Sequence, residues 1–566
     1  MRRSLLPLVA FVALVSALVL GTGCGTIGTP EFRACTSDAQ CGGGEVCFPD
    51  GCGDPGVGIR VEVMPNPQLG YHAQDFEVPD RELKATQHLE VLPPSAITGL
   101  VQRSFGGTSP GLDVFPYDGP VTFNVSGESK LIPGLRRRFT AAVVIKPGVE
   151  GQPDGTYTVP VSSGVFTVAV ATANTAIPAA SELNQVVETG QSAVVNFVLE
   201  ASSDIFGVAG RLVRTGNLAI QNAEMEVQAF DPRTLLPLSQ PVPASSGQIG
   251  STGDFSLFLA PKSSDGANYD SFLIVATPKD ASALVPTKKF SVAVENTLRD
   301  PLELGDYGVP VDVTGSVTDA QGLPILGATV YVEGEVNGDG TFKSQRAVTL
   351  ADGTFSLKTL ASKTGTSMTL WVIPSAKSPH GILRKLVSIT SSTRELAAAS
   401  CPPKPRLTGS VIGADGVPAA GIRVVAEALK ETSGILPPSG AEAMTNAEGA
   451  FELALDPALY RLDFIPTVAN VPRASRMMEI VATRENTLDG MPLSRARTVS
   501  GTVSARPDKA NLDLVKAVPY AGVRFFRVIT LPDNEQGSVL LAESVADAQG
   551  NYTVTLPTGA ASEAEQ

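Results

Sequence analysis

Apolar and polar residues alternate over short stretches along most of the chain, as in "ATVYVEG" at 328–334 and "IRVVAEA" at 422–428. A period of two places successive side chains on opposite faces of a strand, and Gly, Pro, Asn and Asp punctuate the gaps between stretches. Together these predict antiparallel strands packed as sandwiches. Helical periodicity is nearly absent; "ASELNQVVETG" at 180–190 is the one modest helix candidate.

From residue 95 onward one pattern recurs. A β-branched or apolar residue leads through a small polar one into glycine: "ITGLV" at Gly99, "VAGRL" at Gly210, "VTGSV" at Gly315, "LTGSV" at Gly409 and "VSGTV" at Gly501. Turn residues, a glycine, one residue and an aromatic follow each time, at Tyr157, Phe255, Phe355, Phe451 and Tyr552. A turn that needs positive φ hands over to a strand whose ring points into the core. The first glycines are 111, 105, 94 and 92 residues apart, enough for one closed core per repeat, so the repeating unit is a whole domain.

The expected organisation is therefore all-β, with about five tandem antiparallel sandwiches of transthyretin-like or immunoglobulin-like type behind a short front segment. The expected boundaries are a leader at 1–23, a cysteine-rich segment at 24–58, a divergent first sandwich at 59–203, a second at 204–310, a third at 311–405, a fourth at 406–496 and a fifth at 497–566. The fifth is short of strands. After Phe355 and Phe451, stretches such as "MTLWVIP", "LVSIT" and "RLDFIP" complete the repeat, but after Tyr552 only 14 residues remain. A sandwich so cut would expose apolar faces and strand edges. The reading favoured is that the sequence is a truncated form of a longer protein; the other is a strand donated by a partner or another copy. The one spare strand in view, "IRVEVMP" at 59–65, is assigned to the first sandwich.

The front of the chain has a different character. Arg2 and Arg3 precede an apolar run from Leu5 to Leu20 that contains Pro7, the layout of an export signal and short for a membrane-spanning helix. Gly21-Thr22-Gly23-Cys24 resembles the lipobox of bacterial lipoproteins, in which the cysteine is acylated and becomes the new N-terminus. That resemblance implies lipid attachment at Cys24, although Gly21 stands where Leu or Val is usual. Gly25 in place of an inner-membrane-retaining aspartate implies the outer membrane or cell surface. Cys35, Cys41, Cys47 and Cys52 follow in a stretch with little to bury, so disulfides replace a core there. Four cysteines allow three connectivities; Cys35–Cys47 with Cys41–Cys52 is the working guess. Cys401 is left as a lone thiol.

Composition narrows the function. With 43 Lys and Arg against 57 Asp and Glu, the net charge of −14 argues against nucleic acid as a partner. The one basic run, Arg136-Arg137-Arg138, reads as a solvated loop. His72, His88 and His380 are the only histidines and none stands in a zinc-binding spacing; no nucleophile-elbow or phosphate-cradling motif occurs. "NGDG" at 337–340 lacks the later acidic ligand of a calcium loop and reads as a hairpin turn, and Trp371 sits in a buried strand. No catalytic residue, metal ligand or cofactor is expected, and the chain is read as a non-enzyme.

Two of the repeats carry a family resemblance. "VTGSVTDAQGLPILGATVYVEG" with "AVTLADGTFSLKTL", and "LTGSVIGADGVPAAGIRVVAEA" with "AMTNAEGAFELAL" and "YRLDFIP", resemble carboxypeptidase regulatory-like domains, over about 311–495. The resemblance implies a sandwich of about seven strands and brings no active site. The functional expectation is a non-catalytic structural, adhesive or partner-binding stalk on a membrane, with an unknown protein or glycan as ligand. The alternatives are a carbohydrate-binding lipoprotein, which an aromatic share of 6% disfavours, and an accessory subunit that positions a separate enzyme.

Overall fold

The computed structural model describes residues 59–557 except 79–85, 106–113, 146–154, 202–205, 217, 221–222, 246–252, 260–268, 281, 295–297, 432–433, 469, 507–514 and 531–534, together with Gln40 and the pieces 46–48 and 51–53. Among the described residues there is no α-helix; strands carry the structure. They form five sandwiches, each of two facing sheets of three to five strands.

The fourth sandwich shows the plan. Its seven strands are Arg406–Ile412, Ile422–Glu431, Ala441–Met444, Ala450–Ala454, Ala458–Pro466, Ala474–Ile480 and Asn486–Pro492. The first lies between the fourth, antiparallel to it, and the seventh, parallel to it. In the facing sheet the order is third, second, fifth, sixth. Burial alternates along the strands, so that Leu462 and Phe464 point inward while Arg461 and Asp463 point out and pair with each other. The second sandwich runs from Phe206–Val213 to Leu302–Glu303 and the third from Val311–Thr318 to Ala399–Ser400 with the same order. Their cores merge into one cluster, whereas the core of the first, from Ser95–Phe105 to Phe197–Ala201, stays separate.

The recurring glycine and aromatic turn out to be one device. In all five sandwiches they are direct cross-strand partners: Gly99 with Tyr157, Gly210 with Phe255, Gly315 with Phe355, Gly409 with Phe451 and Gly501 with Tyr552. A Cβ at Gly210, Gly315, Gly409 or Gly501 would lie 2.5 to 2.8 Å from the partner's ring, so the missing side chain is the space the ring occupies. The glycine two residues before each aromatic has positive φ, between 65° and 81°, as the turn requires.

Two expectations about local structure change. "ASELNQVVETG" forms the strand Ala180–Val187 and a turn, because pairing with Gly164–Thr172 outweighs a weak helical pattern in so short a stretch. The basic run is a strand as well, Arg136–Ile145. Arg136 and Arg138 face solvent as expected, but the Arg137 side chain is only 8% exposed.

Candidate functional site: a sandwich shared by the two ends of the chain

The fifth repeat supplies four of the seven strands: Ala496–Ala505, Gly522–Thr530, Gln536–Val545 and Asn551–Pro557, with a two-residue addition at Lys516–Ala517. The missing three come from the front of the same chain. Ile59–Met64 takes the place of the fifth strand, pairing antiparallel with the second so that Val63 faces Val523 and Val61 faces Phe525. Gln74–Val78 extends that sheet as the sixth strand. Leu89–Val91 lies parallel to the first strand, Leu89 opposite Val503 and Val91 opposite Ala505, as the seventh. The sheet orders match those of the fourth sandwich position for position, so the domain is a circular permutation of its neighbour with its middle cut open.

This corrects two expectations. Residues 59–91 do not belong to the first sandwich, which begins at Ser95, and the strand shortage after Tyr552 is met from within the chain. The physical reason is complementarity on both faces. Ile59, Val61, Val63, Val78, Leu89 and Val91 are all buried against Val503, Phe525, Tyr552 and Leu556. Each such side chain is worth about 1.5 to 3 kcal/mol on burial. The first sandwich has its own fifth, sixth and seventh strands in Gly164–Thr172, Ala180–Val187 and the pair Ser192–Val194 and Phe197–Ala201, leaving no vacancy for 59–91.

Polar contacts fix the register. The Tyr552 hydroxyl donates to the Gln87 carbonyl at 2.7 Å, and the Gln87 amide donates to the Ser500 carbonyl at 2.7 Å. The first sandwich repeats the contact, with the Tyr157 hydroxyl on the Val195 carbonyl at 2.6 Å. His88 Nδ1 meets Thr502 Oγ1 at 2.7 Å, and Arg506 pairs with Glu90 at 2.7 Å. Burial pushes both the Tyr157 and Tyr552 hydroxyls upward in pKa, so they stay protonated donors.

The composite domain is held to both neighbours. Toward the first sandwich, Arg137 reaches Asp75 at 2.6 Å and Glu62 at 3.2 Å, with the Asp75 and Glu62 side chains 0% and 5% exposed. Ser129 donates to Asp75 at 2.6 Å, Arg60 donates to the Leu131 carbonyl, and Ser538 to that of Pro133. Burial raises the pKa of Asp75 and of Glu62, while Arg137 pulls each the other way. His72, its pKa lowered by burial, sets its ring edge-on to Phe139. Toward the fourth sandwich, Arg473 pairs with Glu543 at 2.8 Å and Met477 packs against the composite core.

A comparable lock joins the third and fourth sandwiches. Lys404, in the "CPPKPR" link, is buried beside Asp456 at 3.7 Å and donates to the Ala376 carbonyl at 2.9 Å, while Asp456 accepts from the Ile382 amide at 2.7 Å. Burial lowers the Lys404 pKa and raises that of Asp456. Cys401 at this junction is a free, buried thiol whose pKa is pushed up to about 12, chiefly by burial.

Other expected residues scatter. The three histidines go to three places: His72 and His88 as described, and His380 bridged to Pro403. Asn337 to Gly340 close the hairpin between Thr329–Val336 and Gly340–Lys343, with positive φ at Gly338 and Asp339. Trp371 is buried and its indole donates to Glu333 at 2.7 Å. Among the described residues no group of three His, Cys, Asp or Glu is placed to hold a metal, and no helix is long and apolar enough to cross a membrane. The leader, Cys24, Cys35 and Cys41 lie outside the described residues. Only the backbone of Val46–Phe48 and Gly51–Gly53 is described there, a hairpin that sets Cys47 opposite Cys52. A cleft of about 480 Å³ at the end of the fourth sandwich, where the chain leaves it, is lined by Pro418, Val471, Pro472 and Arg495, among others, with no aromatic side chain.

No protein-family model and no curated protein matches the chain. Among solved structures it is similar to the TIE protein of Bacillus anthracis, at 12% identity over 70% of this chain and 74% of that one with a TM-score of 0.16. It is also similar to the minor pilin GBS52 of Streptococcus agalactiae, at 12% identity over 33% and 96% with a TM-score of 0.21. The major pilin subunit BcpA of Bacillus cereus matches at 9% identity over 51% and 99% with a TM-score of 0.14. Superposition this loose carries no argument about function, and the all-β sandwich architecture stands on the strand pairing described above.

Proposed function

We propose that this chain is an exported, non-catalytic structural protein, tethered through a lipid on Cys24 at the outer membrane or cell surface, that carries a stiff array of sandwiches to hold or present a partner. The observation that supports the reading most directly is where the chemistry-bearing residues go. The buried charges Arg137, Asp75, Glu62, Lys404 and Asp456 sit at junctions between sandwiches, where they fix one domain against the next. The repeated glycines and aromatics are spent on closing cores.

The test is fractionation of cells that express the full chain with its leader. The wild type is expected in the membrane pellet, with an acylated Cys24 as the first residue by mass spectrometry, and Cys24→Ser is expected in the soluble fraction. A Cys24→Ser chain recovered wholly in the pellet removes the tether from the reading.

A further inference from the structure

We infer that the composite sandwich is an exchangeable joint, in which residues 59–91 of one chain complete residues 496–557 of a second copy, linking molecules head to tail. The joint does not depend on the lipid tether. Its two halves share no covalent connection except through residues 92–495, and each is bonded to a different neighbour. The front half travels with the first sandwich: only Leu92, Pro93 and Pro94 separate Val91 from Ser95, Gln74 and Leu92 exchange two hydrogen bonds, and Arg137 clamps Asp75. The rear half travels with the fourth, through Leu493 to Arg495 and the Arg473–Glu543 pair.

Closing the joint within one chain therefore demands that four intervening sandwiches bring their last strand back to their first. A second copy removes that demand. Every contact across the joint is reproduced between copies: the ladder of Val63 on Val523, that of Leu89 on Val503, and the Tyr552 hydroxyl on the Gln87 carbonyl. The Ser538 bond to Pro133 is also kept, since Pro133 moves with the front half. Identical contacts make the exchange nearly neutral in energy, which is the condition for domain swapping. The surfaces are heterologous, rear half against front half, so repetition gives an open chain of copies or a ring instead of a closed two-fold dimer. Synthesis adds a kinetic reason. The front half is made before residues 92–495 and waits tens of seconds, at about 5 to 20 residues per second, for its own rear half.

Two full-length variants, Val63→Cys and Val523→Cys, are co-expressed under oxidising conditions and read on a non-reducing gel, beside each variant alone and beside a chain that carries both changes. Exchange predicts a disulfide-linked species of twice the monomer mass in the co-expressed sample, absent from either variant alone, and a ladder of multiples from the doubly substituted chain. A doubly substituted chain that links only within itself, with no linked dimer on co-expression, overturns the proposal. So does a failure of both to link when Val91→Cys with Ala505→Cys, the second facing pair, fails as well, since the joint itself is then absent.

Discussion

The fourth and fifth sandwiches have the same seven strands in the same two sheets, yet one is a single run of chain and the other is assembled from both ends of the protein. In the fourth, Ala450–Ala454 leads after three residues into Ala458–Pro466, so the two sheets are joined locally. In the fifth, that same step, from Asn551–Pro557 to Ile59–Met64, has no local connection. The comparison shows that side-chain complementarity selects this sandwich and connectivity does not. It also shows what connectivity adds. The fourth can open and reclose by itself, whereas the fifth ties the first and fourth sandwiches together and its opening releases both.

The largest test of that difference is removal of residues 59–91 from the full chain. Amides of 496–557 are expected to lose their protection from hydrogen exchange while those of 406–492 keep theirs; protection retained in both would show that the rear half folds unaided. Next come the two rings. Phe451→Ala and Tyr552→Ala each remove a buried ring set over a glycine and are expected to cost about 3 to 5 kcal/mol in their own sandwich. Phe451→Ala should leave exchange at 59–91 unchanged, whereas Tyr552→Ala should speed it, because only Tyr552 holds the Gln87 carbonyl.

The smallest effect is on pH. Asp75 and Glu62 have folded pKa values above their unfolded ones. The stability linked to them is therefore full below the ordinary carboxylate range, about 4, and is lost as pH rises through the folded values. His72, with a lowered pKa, works in the opposite direction and loses stability as pH falls below about 6.5. In a His72→Gln background the fifth sandwich should thus unfold at a higher temperature under mild acid than at neutral pH. Adding Asp75→Asn should flatten that dependence and leave the fourth sandwich's own, to which the buried Asp456 and Lys404 contribute, as it was. A midpoint that falls steadily with acid would mean that the Arg137 pairing outweighs burial.

Much of the fold was legible along the chain. The period of two in "IRVVAEA" and "ATVYVEG" gave strands, and the paired glycine and aromatic motifs marked each sandwich, because a turn with positive φ and a ring-sized gap are requirements of local geometry. The cysteine at 401 reads as a lone thiol, and among the described residues it is free and buried. Less was legible at the junctions. Arg137 sits between two other arginines in an alternating strand, and sequence offers no sign that its face of the strand meets Asp75 and Glu62. Lys404 lies in a proline-rich link that reads as an exposed spacer, and it is buried because two sandwiches close over it.

The sequence by itself determined five repeats, their sandwich character and the fact that the last of them was short of its closing strands, since period, turn chemistry and repeat length are local quantities. Tertiary structure alone decided where those strands come from. "IRVEVMP" fits any vacant sheet edge by its pattern, and only the occupied edges of the first sandwich and the open, apolar face beside Val523 and Phe525 distinguish its place. Strand pairing is a contact between surfaces, and surfaces exist only once the chain has folded.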